Sequence, residues 1–489
     1  MSHKMAKSAV SGIPTFGEVA AEDDAILEYF VQTDSVSTVV DGNKFLILGR
    51  KGSGKTALFR YFNEKQPQGS LSLALNLRGY PWAMHAKRGD PDAATAEQYE
   101  ASWKYVIVTE FAQMVLSKVT GTSEWTSEVK SLRAFFQKNY GGTNVTLEDI
   151  LRPSSLELSK TSFEPTILGC KLLSVSLERT GSQSGLSREL NALSDAIYEA
   201  ASYVSQREQL DKILIHFDEL DQGMVDFNEQ RQLMLIGLIL ACRSINQQSI
   251  KSAVNVKSIV YLRTDMWERL SFSDKNKITM TNLAEIKWNE QSLKSLLDLR
   301  INKYIPGASW IDICDDDLMR GRQPKLTHII ARTFDRPRDV ISFMNTLLEV
   351  STPRRSAAGE SQQFTNKDVV AARPDYSNYL KAELDDEIKP HWPSWDEALQ
   401  VISGLGKLSF TKASFEAAYN ITRLAKNFSS EEAMEILYDF SVIGTYSVQS
   451  GYGGSEWVFR YKVRKAKWDE NASTFKLHLG LKEHARVNE

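Results

Sequence analysis

The sequence predicts an α/β fold on a parallel sheet, followed by an all-helical segment and a small domain of helices and a hairpin. Three observations carry this prediction. Short apolar runs alternate with long helical stretches as far as Lys287. A glycine-rich turn closes the first apolar run and opens a helix. Beyond Pro393, three helical stretches precede two strand-like runs. Strands alternating with helices imply parallel neighbours, because a parallel pair needs a crossover connection.

The elements follow in order. Met1 to Pro14 is polar without an apolar h-region, so residues 1–14 read as a flexible N-terminus with no signal peptide. Glu18 to Thr33 has Ala25, Leu27, Phe30 and Val31 at helical spacing. Phe45 to Leu48 is a continuous apolar run, as expected for a strand buried on both faces. Thr56 to Asn63 reads as a helix, Leu71 to Leu77 as a second strand, and Ala96 to Leu116 as a long helix. From 121 to 185 the pattern weakens, with Gly141-Gly142 and Arg152-Pro153 as breakers and strands expected in Thr166 to Leu177. This stretch reads as an insertion into the first domain. Ser187 to Arg207 is helical, Lys212 to Phe217 a strand, Gln230 to Ile245 an apolar helix, Val256 to Leu262 a fourth strand and Leu283 to Lys287 a fifth.

Asn289 to Val350 is helical with a break at Pro306-Gly307, and Ser351 to Pro374 reads as a loop or linker rich in Ser, Thr, Pro, Arg and Gln. Helices at Ser394–Ser403 and Thr411–Tyr419 precede a capping box at Ser429 to Glu432, with Phe428 as staple. A hairpin follows, Val442 to Val448 and Trp457 to Val463 around Gln449 to Ser455. That is the order of a winged helix. The expected domains are 15–288, 289–350 as a helical lid, 351–390 as a linker and 391–489 as the winged helix.

Composition narrows the function. The 489 residues are 42% hydrophobic and 25% charged, as in globular chains. Lys plus Arg number 59 and Asp plus Glu 62, a net charge of −3, which excludes a globally basic nucleic-acid coat but not a local basic patch. Cys170, Cys242 and Cys314 are far apart and form no CxxC pair, so they read as packing residues in a reducing compartment. No run of about 18 apolar residues is present, so no membrane span and a cytoplasmic location are expected. No cluster of metal-ligating Cys and His and no GxSxG elbow is present.

The chemistry lies in four motifs. Gly49-Arg50-Lys51-Gly52-Ser53-Gly54-Lys55-Thr56, followed by Ala57, matches G-x-x-x-x-G-K-[ST] in full. Its glycines let backbone N–H groups turn inward around phosphates, and the next helix aims its positive end at them. Lys55 is then placed for the β- and γ-phosphates and Thr56 for Mg²⁺. In Ile213 to Glu219 an apolar strand delivers two carboxylates at its C-terminal end. Asp218 is the candidate Mg²⁺ partner and Glu219 the candidate polariser of the attacking water. Asp221 reads as a cap, and His216 as a packed core residue. In Ile259 to Asp265, Arg263 is a candidate γ-phosphate sensor; the competing reading is an ion pair with Asp265 or Asp218. In Arg336-Pro337-Arg338-Asp339, Arg338 is a candidate lid arginine, against a helix-start charge cluster pairing with Asp339. Arg300 is a lesser candidate for a finger acting in trans.

These motifs in this order resemble an AAA+/STAND-type P-loop ATPase. More narrowly, Phe16-Gly17, the phosphate loop, Leu262 to Asp265, Trp288 and Arg336 to Asp339 resemble a little-characterised bacterial P-loop ATPase family met near mobile-element and phage-defence genes. The resemblance implies a three-layer sandwich with strand order 5-1-4-3-2, a helical lid, a C-terminal winged helix, and ATP with Mg²⁺. The insertion departs from the common pattern, and no finger arginine stands at the usual place.

The expected function is an Mg²⁺-dependent, ATP-hydrolysing switch read by self-assembly or an unidentified protein partner. The alternative is an ATP-licensed winged-helix DNA binder, with Arg460, Lys462, Arg464, Lys465 and Lys467 as its basic stretch. Against it, residues 391–489 carry 12 Lys plus Arg and 12 Asp plus Glu. Gly451 to Gly454 is a wing tip and no second phosphate loop, since no helix follows it. Trp82 and Trp125 read as exposed aromatics, for stacking on a base or a partner, with local packing as the competing reading. The adenine pocket is placed at Phe16 to Asp24.

Overall fold

The computed structural model describes residues 10–31, 39, 42–65, 70–87, 95–152, 183–220, 227–357, 359–448, 455–463 and 466–488. The expected strands in 166–177, Cys170, Asp221, the turn glycines 451–454, Arg464 and Lys465 lie outside the described residues. The chain divides into two compact units, residues 32–51 with 55–287, and residues 1–31 with 52–54 and 288–489.

The sheet unit runs β1 (Leu46–Gly49), α1 (Lys55–Glu64), β2 (Ser70–Asn76), α2 (Ala96–Leu116), α3 (Ser127–Tyr140), α4 (Gln183–Arg207), β3 (Lys212–Asp218), α5 (Glu229–Ser252), β4 (Val256–Arg263), α6 (Lys275–Thr281) and β5 (Leu283–Glu285). The strands lie in the order β2-β3-β4-β1-β5, all pairs parallel, which is the order the resemblance implies. Register sets Gly49 opposite Arg263 and Asn76 opposite Asp218, so the strand C-termini line up along one edge.

Every residue of β1 is buried, consistent with its uninterrupted apolar run. Helix α2 opens on a capping box at Thr95 and Gln98, then packs on α4 and α5. Gly237 permits the α2–α5 approach, because a Cβ there would come within 2.6 Å of Tyr99 Cβ and 2.8 Å of the Glu100 backbone nitrogen. Among the described residues α5 has the length and composition of a membrane span, yet most of that window is buried as core. The described part of the insertion shares this core through Leu132, Phe135 and Phe136 of α3. Trp82 is a correction: it is 5% exposed, packed by Tyr80 and Trp103, whereas Trp125 is 76% exposed. Cys242 is a buried thiol of this unit, as Cys314 is of the other.

The other unit contains α7 (Glu290–Tyr304), α8 (Pro337–Arg355), α9 (Asn366–Ile388), α10 (Trp395–Leu405), β6 (Ser409–Thr411), α11 (Lys412–Tyr419), α12 (Ser430–Asp439), β7 (Ile443–Val448), β8 (Ser455–Val458) and β9 (Thr474–Leu477). Its sheet is antiparallel, in the order β6-β9-β7-β8. The capping box at Ser429 and Glu432 forms, with Ser429 N–H donating to Glu432 Oε2 at 2.8 Å. Strands β6 and β9 are too short to announce themselves in sequence, and β8 stops at Val458.

Three expectations are corrected in this unit. The stretch 351–390 is no linker: α8 continues through Pro353 to Arg355, and α9 occupies 366–388 with Pro374 inside it. Tertiary burial of Val369, Tyr376, Leu380 and Leu384 outweighs the proline penalty. Residues 10–14 are not a flexible end, because Val10 and Ile13 are buried and Val10 N–H donates to Gln362 O at 3.1 Å. The helix expected from Glu18 is only a 3₁₀ turn at Ile26–Glu28, and residues 15–31 group with this unit rather than with the sheet.

Candidate nucleotide site

The phosphate loop joins β1 to α1. Gly52 and Gly54 have φ of +77° and +96°, a region L-residues rarely adopt, which accounts for glycine at both places. Lys55 and Thr56 are the first two residues of α1, at its positive end. The Lys55 ammonium donates to Gly49 O at 3.1 Å and Arg50 O at 3.2 Å, folding back over the loop. Residues 52–54 group with the second unit, in which Trp288 Nε1 donates to Ser53 O at 2.8 Å and Arg338 N–H to Gly52 O at 3.4 Å.

Asp218 ends β3 beside this loop. It is 2% exposed, and burial pushes its carboxyl up to about 6, against the Lys55 ammonium and hydrogen bonds from Glu219 N–H and the Thr56 hydroxyl. Its Oδ2 is buried with no hydrogen-bond partner. A carboxylate oxygen without a donor, next to a threonine hydroxyl, is a hard-oxygen pair that fits Mg²⁺. Glu219 follows with φ +58° and 6% exposure. A non-glycine residue held there costs about 1–3 kcal/mol, and such strain collects at functional sites.

His216 is a core residue: it stacks on Phe62 at 5.4 Å, pairs with the Tyr261 hydroxyl at 3.1 Å, and burial drives its imidazole down to about 3. Arg263 is committed to Asp265 through two bonds of 3.0 and 2.8 Å, the competing reading of that motif. Two polar residues on the same edge carry no role in the motif reading, Asn76 outside the motifs and Thr264 inside the third. Asn76 closes β2 opposite Asp218, and Thr264 follows β4 with its hydroxyl buried and without a partner. The available signal was a polar residue directly after an apolar strand.

In the second unit, Arg338 sits in the first turn of α8 and pairs with Glu383 of α9 at 3.3 Å rather than with Asp339. Asp339 instead pairs with Arg336, which is 2% exposed and also holds Glu387 at 2.7 Å. Arg336 is therefore an internal tie between α8 and α9. Arg300, considered as a finger, is buried: it pairs with Asp24 at 2.7 Å and lies over the Tyr29 ring at 4.3 Å. Asn345 completes the clamp on the N-terminal segment, accepting from Phe16 N–H at 2.8 Å and donating to Gly17 O at 2.9 Å. Phe16 is itself 1% exposed, so the segment proposed for adenine is occupied with internal packing.

The parallel sheet and the loop between β1 and α1 fit a P-loop nucleoside-triphosphatase fold. Residues 291–385 match the family model described as the FunZ-associated C-terminal helical domain, which spans α7 to most of α9. The chain is 23% identical over 356 residues to the "Putative transposon gamma-delta 80.3 kDa protein" of Escherichia coli (strain K12), covering 68% of this chain. It spans 46% of that relative's length. Among solved structures, it resembles the Aeropyrum pernix ORC1 protein in complex with DNA at a TM-score of 0.34 and 12% identity, over 92% of this chain and 88% of that one.

Proposed function

We propose that the chain is an Mg²⁺-dependent ATPase of AAA+/STAND type, acting as a molecular switch in the setting of mobile elements or bacterial defence. The observation that carries this is the adjacency of Lys55, Thr56 and Asp218, with Glu219 held in a left-handed backbone beside them. In this reading Gly49 to Ala57 wrap the phosphates, and Lys55 exchanges its loop carbonyls for phosphate oxygens. Thr56 and Asp218 hold Mg²⁺, which neutralises phosphate charge when bound. Glu219 orients and polarises the attacking water. Arg263 acts on the γ-phosphate only after leaving Asp265, and Arg338 only after leaving Glu383. The mobile-element setting is carried over from the transposon-associated relative. The proposed domains are an ATPase within 32–288, a helical lid from 289 and a winged helix over 391–489, with the segment 15–31, expected in the ATPase, grouped with the latter two.

The second reading, ATP-licensed DNA binding, is favoured by one observation. The succession α10, β6, α11, α12, β7, β8 supports a winged helix. Of its basic stretch, Arg460 is engaged by Asp439 and Lys462 lies over the Tyr461 ring.

The test is light scattering of Glu219→Gln with and without Mg-ATP. Growth to a larger assembly supports the switch. An unchanged mass despite demonstrated ATP binding counts against assembly and moves the weight to DNA binding.

A further inference from the structure

Gly52 to Gly54 of the phosphate loop group with the second unit, and there Arg338 lies against Gly52. A Cβ at Gly52 would stand 2.9 Å from Arg338 Cβ, 3.0 Å from its Cδ and 3.3 Å from its Nε. Glycine at 52 therefore answers to two constraints, its positive φ and this close approach. The bond from Arg338 N–H to Gly52 O fixes the same contact through the backbone. The result is a cation laid along a glycine turn of the kind whose N–H groups receive anions.

That cation is tied to an acid. Glu383 and Glu387 stand four residues apart on α9, so they share a face, and each takes one arginine of Arg336-Pro337-Arg338. The two ties differ. Arg336 is buried between two carboxylates, Asp339 at 3.0 Å and Glu387 at 2.7 Å. Arg338 meets Glu383 at 3.3 Å, and both of those side chains are partly exposed. The Arg338 Nε is buried with no hydrogen-bond partner. Moving Arg336 would strand two buried charges, whereas moving Arg338 leaves a carboxylate that water still reaches. Of the two arginines, Arg338 is the one able to change partner.

We infer that Glu383 is a positioning residue for the nucleotide: it restrains Arg338 beside the phosphate loop and yields it only to a terminal phosphate. The inference rests on the ATPase reading and adds to it the residue that sets how strongly triphosphate is preferred over diphosphate. A terminal phosphate offers Arg338 charged oxygens in exchange for those of Glu383, and gives its unpaired Nε an acceptor. The exchange costs the Glu383 bond. Glu383 thus lowers the affinity for triphosphate without touching the ligand, because the arginine must first be released. A diphosphate leaves the Arg338–Glu383 pair in place and is bound independently of it.

The experiment is calorimetric titration of the full chain in Mg²⁺ with the non-hydrolysable triphosphate adenylyl imidodiphosphate, and separately with ADP. Wild type is compared with Glu383→Gln, which keeps the size of the side chain and removes its charge. Arg338→Ala, Glu383→Gln/Arg338→Ala and Lys55→Ala complete the set. Glu383→Gln should bind the triphosphate about fivefold or more tightly, the lower end of a typical coupling, with ADP affinity unchanged. The gain should vanish in the Arg338→Ala background. A merely structural role for Glu383 would weaken both nucleotides together and would not strengthen one. Triphosphate affinity unchanged or lowered in Glu383→Gln, an equal gain for ADP, or a gain that persists without Arg338 would overturn the proposal while leaving the ATPase reading intact. No binding to wild type, or binding that Lys55→Ala leaves unchanged, would overturn the ATPase reading and this proposal with it.

Discussion

Asp218→Asn should make the metal-free protein more stable while abolishing its response to Mg-ATP. The carboxyl is raised from an ordinary 3.8 to about 6 by burial. A tenfold difference in proton affinity between folded and unfolded chains corresponds to about 1.4 kcal/mol, so the charged form at pH 7 costs roughly 3 kcal/mol relative to an unfolded chain. The folded state holds this proton more tightly than the unfolded state, so the contribution is fully present below pH 4 and is lost as pH rises through 6. Denaturation in urea without divalent ions, from pH 4.5 to 8, reads the effect. Wild type should lose stability relative to Asp218→Asn between about pH 4 and 6, and the gap should stay constant above that. Mg-ATP at pH 7 should then stabilise wild type alone. A variant less stable than wild type at pH 7 without metal, or a gap independent of pH, would refute the burial argument. An equal gain from Mg-ATP in both proteins would remove Asp218 from the metal site.

Lys55→Ala should abolish tight ATP binding in calorimetry; unchanged affinity would sink the phosphate-loop assignment. Glu219→Gln should keep ATP binding and lose at least about a hundredfold in turnover, the typical share of a positioned base, by steady-state phosphate release. Arg336→Met should destabilise the second unit by about 3–5 kcal/mol, because it strands two buried carboxylates, Asp339 and Glu387; a stable variant with reduced turnover would instead make Arg336 a nucleotide residue. Ser429→Ala should cost about 1 kcal/mol in the same unit through loss of the α12 cap, read as a change in denaturation midpoint.

Much of the sheet unit was legible because its signals are local. A strand buried on both faces is mostly apolar, so β1, Ile213 to Ile215 of β3 and Ile259 to Leu262 of β4 appear as runs. The positive-φ glycines Gly52 and Gly54 and the helix opening at Lys55 follow from backbone sterics within one short loop. Helix starts such as Ser429 to Glu432 are written in the residues that cap them.

What sequence alone left open is the choice of partner. Whether Arg263 meets a phosphate or Asp265, and Arg338 meets Asp339 or Glu383, depends on which carboxylate the fold delivers. Arg336 and Glu387 are 51 positions apart, and Arg300 and Asp24 are 276 apart. A charged side chain looks the same in sequence whether it faces solvent or is buried against a distant partner. Only the packing that removes water decides, as it decides that Pro374 stays inside a helix, that Phe16 is core, and that Asp218 keeps one oxygen without a donor. The sequence determined which residues carry chemistry and where the local turns fall, since both depend on neighbours along the chain. The tertiary structure decided which of those residues are already committed to each other, because burial makes pairing obligatory.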